Sequence, residues 1–281
     1  NNNLNYRQLR LNYYAVQALL ARAYAWGGNT TKAYEIAKNE IIDKITTEDL
    51  EIFPWTTEAA FRADGKPDKL FSSEGFFAIY NVNRAQTFSN LFSSAIRPLT
   101  GRLTFPGTNF TDSKIATFYD DDNDWRREMW EIAEPTEQEM KEAAEKATSS
   151  LFLTKYQEVS YDANLTGTEM YRYMVPLIRL SEVYLIAAEG APTREEALGY
   201  INTVRAHRSC RNLEGDNFDL QETITAEFAR EVIGEGQLFY YYKRLGMEQM
   251  ISGTAASGTY GMVLSNYVMP LPSSETDKRV M

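Results

Sequence analysis

The chain is organised around Leu177–Glu189, which has the sequence LIRLSEVYLIAAE. Its apolar residues recur at helical spacing and form one stripe, while its charged residues fall on the rest of the helix surface. Pro176 suits a first helical turn, because the N–H group that proline lacks has no helical partner there. Gly190 and Pro192 then end the helix. The pattern predicts an amphipathic helix from about Pro176 to Gly190.

A second helix follows after a very short connection. Thr193 is a suitable N-cap, and Glu195 and Glu196 carry negative charge in the first turn, where the helix dipole favours it. Apolar residues then continue at helical spacing as far as Val204. Because the connection is so short, the two helices must be antiparallel neighbours. Residues 171–211 are therefore predicted to form a helical hairpin.

The N-terminal part repeats this pattern over residues 12–43, with a break at Gly27-Gly28-Asn29. Its spacings match a tetratricopeptide unit, in which small residues let paired helices approach closely. A solenoid of such units needs about three repeats, so a single unit leaves its outer face uncovered. The residues predicted to form the apolar stripe of the first helix are Tyr13, Val16, Leu19, Leu20, Ala23 and Tyr24.

The middle of the chain has a different character, because polar residues and glycines interrupt short apolar runs. Phe76–Tyr80 is predicted as a short strand, and residues 83–110 as a long loop. Helical periodicity returns at residues 225–245, which are predicted as one long helix despite Gly234 and Gly236. The two glycines indicate close packing of another segment.

The predicted fold class is mainly α, with tetratricopeptide-like helical hairpins and a large loop-rich insertion lobe that contains few short strands. We divide the chain into an N-terminal hairpin (1–43), the insertion lobe (44–169) and a C-terminal helical region (170–281), which together form one compact domain. The two hairpins are expected to pack against each other, joined by the helix at 225–245, with the lobe to one side.

Composition limits the possible functions of these 281 residues. The net charge of -10 argues against nucleic-acid binding, because no basic surface is present to neutralise phosphates. A single cysteine, Cys210, excludes an internal disulfide. No apolar run is long enough for a membrane span. His207 is the only histidine, so a zinc site is not expected. A structural or solvated role is expected for it, since a cation near a helix end favours the helix dipole. The run from Asp120 to Asp124 lacks the EF-hand pattern and reads as a solvated acidic loop. The sequence indicates no metal and no cofactor.

Four stretches together resemble the C-terminal part of the SusD/RagB family. LIRLSEVYLIAAE is similar to the family's RLAEVYLIYAEA helix, and residues 197–206 (ALGYINTVRA) are similar to ALxYINxVRxR. Residues 230–246 are similar to ERRxELxxEGxRxxDLxRxG, although Leu238 and Tyr241 replace its Arg and Asp. Aromatic packing is expected there in place of an ion pair. Residues 269–275 (MPLPSSE) are similar to LLPIPxxE.

The resemblance implies a non-enzymatic nutrient-binding lipoprotein of Bacteroidetes, lipid-anchored at the cell surface in the outer membrane. The implied partner is a SusC-like TonB-dependent transporter, and the implied ligand is an oligosaccharide or another nutrient. Family members are much longer, so the lipidated cysteine and the first tetratricopeptide helices are expected in an N-terminal half that these residues do not include. Contact with the membrane is then expected only through that anchor.

A glycosidase would need two carboxylates that flank a cleft. Glu231 and Glu235 lie one helical turn apart, but packing salt bridges to Arg230 or Arg244 explain them more simply. No nucleophile elbow, phosphate-binding loop or dinucleotide motif is present. The sequence therefore predicts that the protein is not an enzyme.

Aromatic residues of the middle region are the best candidates for a ligand site, because flat rings pack against sugars while polar neighbours bind the hydroxyl groups. We expect an aromatic loop that opens to solvent near Trp55, Tyr80 and Phe88. Two alternatives stay open, namely a binder of peptides and a structural lid or scaffold of the transporter without a ligand site. The predicted ligand-binding residues are Trp55, Tyr80, Arg84, Phe88, Phe92, Phe105 and Asn109.

Overall fold

The structure, a computed structural model, describes residues 7–46, 52–94, 102–142, 149–157, 169–252 and 259–272. Helices dominate its regular structure, which confirms the prediction of a mainly α fold. The α-helices are α1 (Tyr13–Trp26), α2 (Thr30–Ile36), α3 (Asp43–Ile45), α4 (Glu58–Phe61), α5 (Arg84–Leu91), α6 (Glu137–Glu142), α7 (Glu169–Arg172), α8 (Leu180–Gly190), α9 (Arg194–Ala206), α10 (Leu220–Val232) and α11 (Leu238–Leu245).

Short strands form three small antiparallel sheets among the described residues. β1 pairs with β5, β4 lies between β2 and β3, and β6 pairs with β7. The strands are β1 (Gly75–Tyr80), β2 (Thr104–Pro106), β3 (Trp130–Ala133), β4 (Ser150–Leu153), β5 (Met174–Arg179), β6 (Gln249–Ile251) and β7 (Thr259–Gly261). The 3-10 turns are Arg7–Leu9, Ser72–Glu74, Lys114–Phe118, Trp125–Met129 and Leu264–Tyr267.

The N-terminal hairpin forms as predicted, but its first helix buries a different face from the predicted one. Asn12 caps α1 by accepting a hydrogen bond from the Ala15 backbone, and Asn29 caps α2 in the same way. The helix then continues from α2 through a π-helical turn, Ala37–Ile42, into α3. The predicted apolar stripe of α1 is wrong at most positions, because Val16, Leu19 and Leu20 are about half exposed. Tyr24 alone of its large side chains is partly buried and packs against the hydrophobic interior. The residues of α1 that are buried are Ala15, Ala18, Ala21 and Ala25.

The central hairpin begins later than the sequence predicts. Pro176 and Leu177 belong to strand β5, and helix α8 starts at Leu180. The correction has a physical reason, since pairing with β1 gives this segment backbone hydrogen bonds that an isolated helical turn would not have. Thr193 caps α9 by accepting a hydrogen bond from the Glu196 backbone, as expected.

The helix predicted over residues 225–245 is two helices. α10 ends at Val232 and α11 starts at Leu238, and both Gly234 and Gly236 adopt positive φ between them. A φ of this sign cannot continue a right-handed helix. Tyr241 stacks on Phe228 with ring centroids 4.0 Å apart, which is the aromatic packing expected in place of the ion pair.

The middle region is more regular than a long loop. β1 covers the predicted strand, but helix α5 and strand β2 both fall inside residues 83–110, where the sequence predicted a loop. α5 carries mostly polar residues, so its hydrophobic periodicity is weak. This is why the sequence pattern does not reveal it.

Two hydrophobic clusters make up the interior of the described chain. In the first cluster, α8 packs against α1, α2, α9 and α10, so the two hairpins are in contact as predicted. The second cluster lies in the middle region and includes Trp125, Leu151 and Leu153. No described helix is both long and apolar enough to cross a bilayer.

Candidate functional site

Tyr80 is the predicted site residue that offers an open ring to solvent. It is the last residue of β1, and 51% of its surface is exposed. Its ring centroid lies 5.1 Å from that of Tyr173, and the two ring planes are 53° apart. The β1–β5 pairing brings the rings together, because Tyr80 lies opposite Met174 in the ladder. Two tilted aromatic faces at one strand end form a shallow apolar platform.

A cation stands beside this platform. The guanidinium carbon of Arg172 lies 5.4 Å from the ring centroid of Tyr173, within the range of a cation–π contact. The backbone N–H of Asn81 donates to the carbonyl of Tyr173 over 2.8 Å and fixes the two segments. We call Tyr80, Arg172 and Tyr173 the tyrosine ridge. It combines ring faces with a hydrogen-bond donor, which is the chemistry that binds a sugar ring.

Arg84 and Phe88 lie beneath the surface on helix α5. Arg84 is buried, and its Nη1 donates to the carbonyl oxygen of Tyr171 over 3.1 Å. Phe88 is half-buried and packs against the second cluster. These two residues therefore hold α5 against the segment that leads into β5. Arg84 contacts the backbone of Tyr171 just before the ridge, and we call Arg84 and Phe88 its support.

Phe92 and Phe105 are core residues in this structure. Phe92 packs against Tyr156 at a centroid distance of 5.4 Å, and Phe105 meets Trp130 edge to face at 5.2 Å. Both phenylalanines belong to the second hydrophobic cluster. Neither ring is part of the open surface at the tyrosine ridge.

Trp55 and Asn109 also lie outside the ridge. Trp55 packs against the first cluster and stacks on His207, with centroids 4.4 Å apart and planes 11° apart. Asn109 is exposed, but its amide oxygen accepts from the Asp112 backbone and the Thr111 hydroxyl within a tight turn. The structure therefore does not bring the seven predicted site residues together. Tyr80 lies at the ridge, Arg84 and Phe88 lie next to it, and the other four lie in the core or elsewhere.

Tyr173 and Arg172 were missed as site residues by the sequence analysis. The signal in the sequence is limited to Met174 and Val175 before a proline, because Tyr171 lies in α7 and Tyr173 in the turn before β5. The helix assigned to the following residues concealed it. Strand β5 is what presents Tyr173 next to Tyr80.

The two acidic residues considered as a catalytic pair lie in a buried charge cluster. Glu231 accepts from Arg126 Nη1 over 2.7 Å, from Arg208 Nε over 2.8 Å and from Arg179 Nη1 over 3.0 Å. Burial alone would raise the pKa of Glu231, but these three guanidinium groups outweigh it and hold the pKa well below its usual range.

Glu235 has its own partners in the same cluster. Its carboxylate pairs with Lys155 and accepts from Arg179 Nε over 3.0 Å. Burial lowers the pKa of Lys155 to about 8, although Glu235 opposes this effect. The partners expected from sequence are wrong, since Arg230 pairs with Glu227, and Arg244 pairs with Glu189. Glu231 and Glu235 are both buried in ion pairs, whereas a catalytic acid and base would have to face an open cleft.

The acidic run at residues 120–124 is only partly solvated. Asp122 is fully open, but Asp124 is buried against Arg126, at 2.7 Å between Oδ2 and Nη2. Asp121 is buried and accepts from the backbone and the side chain of Arg211. The prediction of a solvated acidic loop is therefore wrong for these two residues. Among the described residues, no group of three His, Cys, Asp or Glu side chains could hold a metal ion.

Comparisons with known proteins agree with this architecture. The family model described as the SusD family matches residues 99–279. A SusD superfamily protein from Bacteroides thetaiotaomicron is similar in structure, with a TM-score of 0.65 and 22% identity, over 96% of this chain and 59% of that one. A putative sugar binding protein from Bacteroides vulgatus has a TM-score of 0.63 and 22% identity, over 98% of this chain and 59% of that one.

A third structure contains a ligand. The surface glycan-binding protein A from Bacteroides thetaiotaomicron, in complex with laminarihexaose, has a TM-score of 0.57 and 18% identity. The match covers 95% of this chain and 62% of that one. This chain thus spans about three fifths of the length of these structures, and at such identities the likeness shows a shared fold. No curated protein matches the sequence.

Proposed function

The chain belongs to the SusD family, and from this premise we propose that it is a non-enzymatic binding protein that holds a glycan at the tyrosine ridge. The observation that carries the proposal is the pair of tilted rings at the end of β1, with Tyr80 half-exposed and 5.1 Å from Tyr173. Tyr80 is half-exposed, while Tyr173 is half-buried beside the guanidinium of Arg172, so packing alone does not account for the open face of Tyr80. It suits a ligand with both apolar faces and hydroxyl groups.

The similar structures support a glycan more than a peptide. One is a complex with laminarihexaose, and another is described as a putative sugar binding protein. A peptide would instead need an open sheet edge or a groove for side chains. β1 and β5 form a two-stranded sheet, so its outer edges do not decide between a peptide and a glycan. What favours a glycan is the description of the similar structures. The peptide alternative therefore has less support.

The positions of Glu231 and Glu235 support binding without catalysis. A glycosidase needs one carboxyl group with a raised pKa and a second that is ionised, both facing the substrate. Glu231 is held ionised among three arginines inside the protein, and Glu235 is paired with Lys155. These residues hold the fold together, and we assign them no catalytic role.

Isothermal titration with a panel of oligosaccharides, laminarihexaose among them, tests the glycan proposal. Tyr80→Ala and Tyr173→Ala should each weaken binding about five- to hundredfold, taking the roughly 1–3 kcal/mol that a ring stacked on an aromatic side chain contributes in nucleic-acid complexes as the scale. Tyr260→Ala is the matched control, since Tyr260 is similarly exposed on β7. If the full-length protein binds no sugar in the panel, or if all three variants bind equally well, the ridge is not the site.

We further propose that the full-length protein works at the cell surface, lipid-anchored in the outer membrane, with a SusC-like TonB-dependent transporter. Family membership supports this proposal. Co-purification of the transporter with the tagged full-length protein would test it. Co-purification that persists in Tyr80→Ala, with no sugar bound by the wild type, would favour the alternative of a structural lid. Absence of any transporter would contradict the partnership.

A further inference from the structure

A second cleft, of about 420 Å³, opens between the middle region and helices α10 and α11. Phe105 and Phe118 line it from the middle region, while Met247 and Met250 line it from the C-terminal region. This size and this apolar lining are typical of small-molecule sites. The residues of the tyrosine ridge do not line it, so the two places are separate.

Tyr242 gives this cleft a polar group within its wall. The residue lines the cleft and is 3% exposed. No hydrogen bond of a described residue engages its hydroxyl group. Burial raises the pKa of Tyr242 to about 12, so the hydroxyl keeps its proton at neutral pH and remains a donor. Among the described residues, the Tyr242 hydroxyl is not one of the fully buried side-chain groups that lack a partner. Its oxygen therefore keeps contact with the open space of the cleft, where a ligand can pair with it.

Polar side chains of the rim balance each other in charge. Glu222 and Gln249 are exposed at the cleft and bring a carboxylate and an amide. Lys114 also lines the cleft and opposes the charge of Glu222. Arg230 is already neutralised, since its Nη1 pairs with Glu227 at 3.0 Å and its Nε donates to the Phe118 carbonyl. The site therefore favours neither an anion nor a cation.

We propose that this cleft is a second ligand-binding site, and that its ligand is a neutral, hydroxyl-bearing ring of the size of a mono- or disaccharide. One face of the ring packs against the phenylalanine and methionine side chains. The hydroxyl of Tyr242 donates to an oxygen of the ligand, while Glu222 and Gln249 bind hydroxyl groups at the rim. A purely apolar ligand would leave the Tyr242 hydroxyl unpaired.

The test uses the full chain carrying Tyr80→Ala, so that binding at the tyrosine ridge cannot obscure the result. Glucose and laminaribiose are titrated by calorimetry, with saturation-transfer NMR as a second readout and toluene as the apolar probe. Ala226→Trp should abolish sugar binding, because Ala226 lies on α10 in the cleft wall, where an indole fills the space. Tyr242→Phe should weaken it about three- to tenfold, as loss of one hydrogen bond does.

Ala23→Trp is the matched control, because Ala23 is exposed on α1, away from the cleft. It should bind like the parent. Sugar binding that survives Ala226→Trp overturns the proposal, as does binding of toluene but of neither sugar, or no binding at all. Tyr242→Phe keeps the test decisive if Ala226→Trp does not fold. Failure of the ridge proposal leaves this test intact, because the parent already lacks the Tyr80 ring.

Discussion

His207 shows how the surroundings of a single residue change its pKa. The imidazole follows helix α9 and stacks on Trp55. Burial in this contact and the adjacent charge of Arg208 lower the pKa of His207 to about 4. His207 is therefore not a cation at pH 7, because burial and the charge of Arg208 oppose its protonation. Its stacking on Trp55 fits the structural role that the sequence allows.

We expect the stability of the protein to fall between pH 6.5 and pH 4 partly through His207. The unfolded chain binds a proton near pH 6.5 and the folded chain only near pH 4, so the unfolded state holds more protons in this window. Because His207 is exposed to solvent, water screens its charge and limits the loss of folding stability to about 1 kcal/mol or less. His207→Gln should remove this share of the pH dependence in urea titrations. An imidazole that NMR finds titrating near pH 6.5 in the folded protein would contradict the prediction.

Glu231 should be far more sensitive to substitution than its exposed counterparts. Glu231→Gln leaves Arg126, Arg179 and Arg208 without the anion that all three share. Removing one partner of a buried ion pair costs about 3–5 kcal/mol, because an uncompensated charge remains inside. Urea denaturation at pH 7 measures this loss directly.

Glu128→Gln is the matched control for that substitution. Glu128 pairs with Arg62, and about half of each side chain is exposed. Exposed pairs contribute at most about 1 kcal/mol, so this variant should remain close to the wild type. Equal losses in the two variants would mean that the charge cluster around Glu231 does not stabilise the fold.

The candidate site was predictable from sequence only in part. Tyr80 could be found because it ends a recognisable strand in an aromatic region. Phe92 and Phe105 carry the same kind of ring, and sequence could not show that they are buried. The burial of Phe105 depends on the pairing of β2 with β4, and that of Phe92 on its contact with Tyr156, and both partners are distant in sequence. Tyr173 depends on the same kind of distant contact, the pairing of β1 with β5.

For the helices, the break between α10 and α11 gives a sharp prediction. Gly234 adopts a φ of 79°, and a Cβ atom there would lie 2.6 Å from Leu153 Cδ2. Gly234→Ala should therefore lose about 1–2 kcal/mol from the backbone conformation and about 1–3 kcal/mol more from the clash. Thermal or urea unfolding of the purified variant measures the sum.

Gly236→Ala separates the two contributions. Gly236 adopts a similar φ of 75°, but a Cβ atom there would have no neighbour within 4 Å. Gly236→Ala should therefore lose only the stability that the unfavourable backbone conformation costs, about 1–2 kcal/mol. If Gly234→Ala is no less stable than Gly236→Ala, the segment does not approach Leu153 as closely as the structure shows.

Helix starts and faces were the least predictable features of the fold. The LIRLSEVYLIAAE stretch correctly indicated a helix, but its first three residues belong to β5, because a strand partner outweighs local helix periodicity. In α1 the large apolar residues point outward and alanines point inward. Close helix packing favours small residues, so the alanines rather than the bulkier stripe marked the buried face.

On the scale of the whole molecule, the two hydrophobic clusters are tied together in two ways. β1 from the middle region pairs with β5, which leads into α8. The buried charge cluster also spans both parts, since Arg126 and Lys155 of the middle region bind Glu231, through its carboxylate and its carbonyl respectively. These contacts are buried, so separating the clusters would expose unpaired charges. We infer that the two clusters unfold as one cooperative unit.

Leu185→Ala tests this cooperativity. Leu185 is buried in α8 within the first cluster, so its truncation should cost about 2–5 kcal/mol. If the molecule unfolds as one unit, amides of β4 in the second cluster should lose the same free energy of protection as amides of α8. Native-state hydrogen exchange followed by mass spectrometry measures both segments in one experiment.

Leu264→Ala supplies the control, because Leu264 is among the most exposed apolar residues of the described chain. It should leave protection in α8 and β4 unchanged, within about 0.5 kcal/mol. Loss of protection confined to α8 in Leu185→Ala would show that the middle region remains folded by itself. The charge cluster would then be a contact between two independent units, and Glu231→Gln should separate them without unfolding either one.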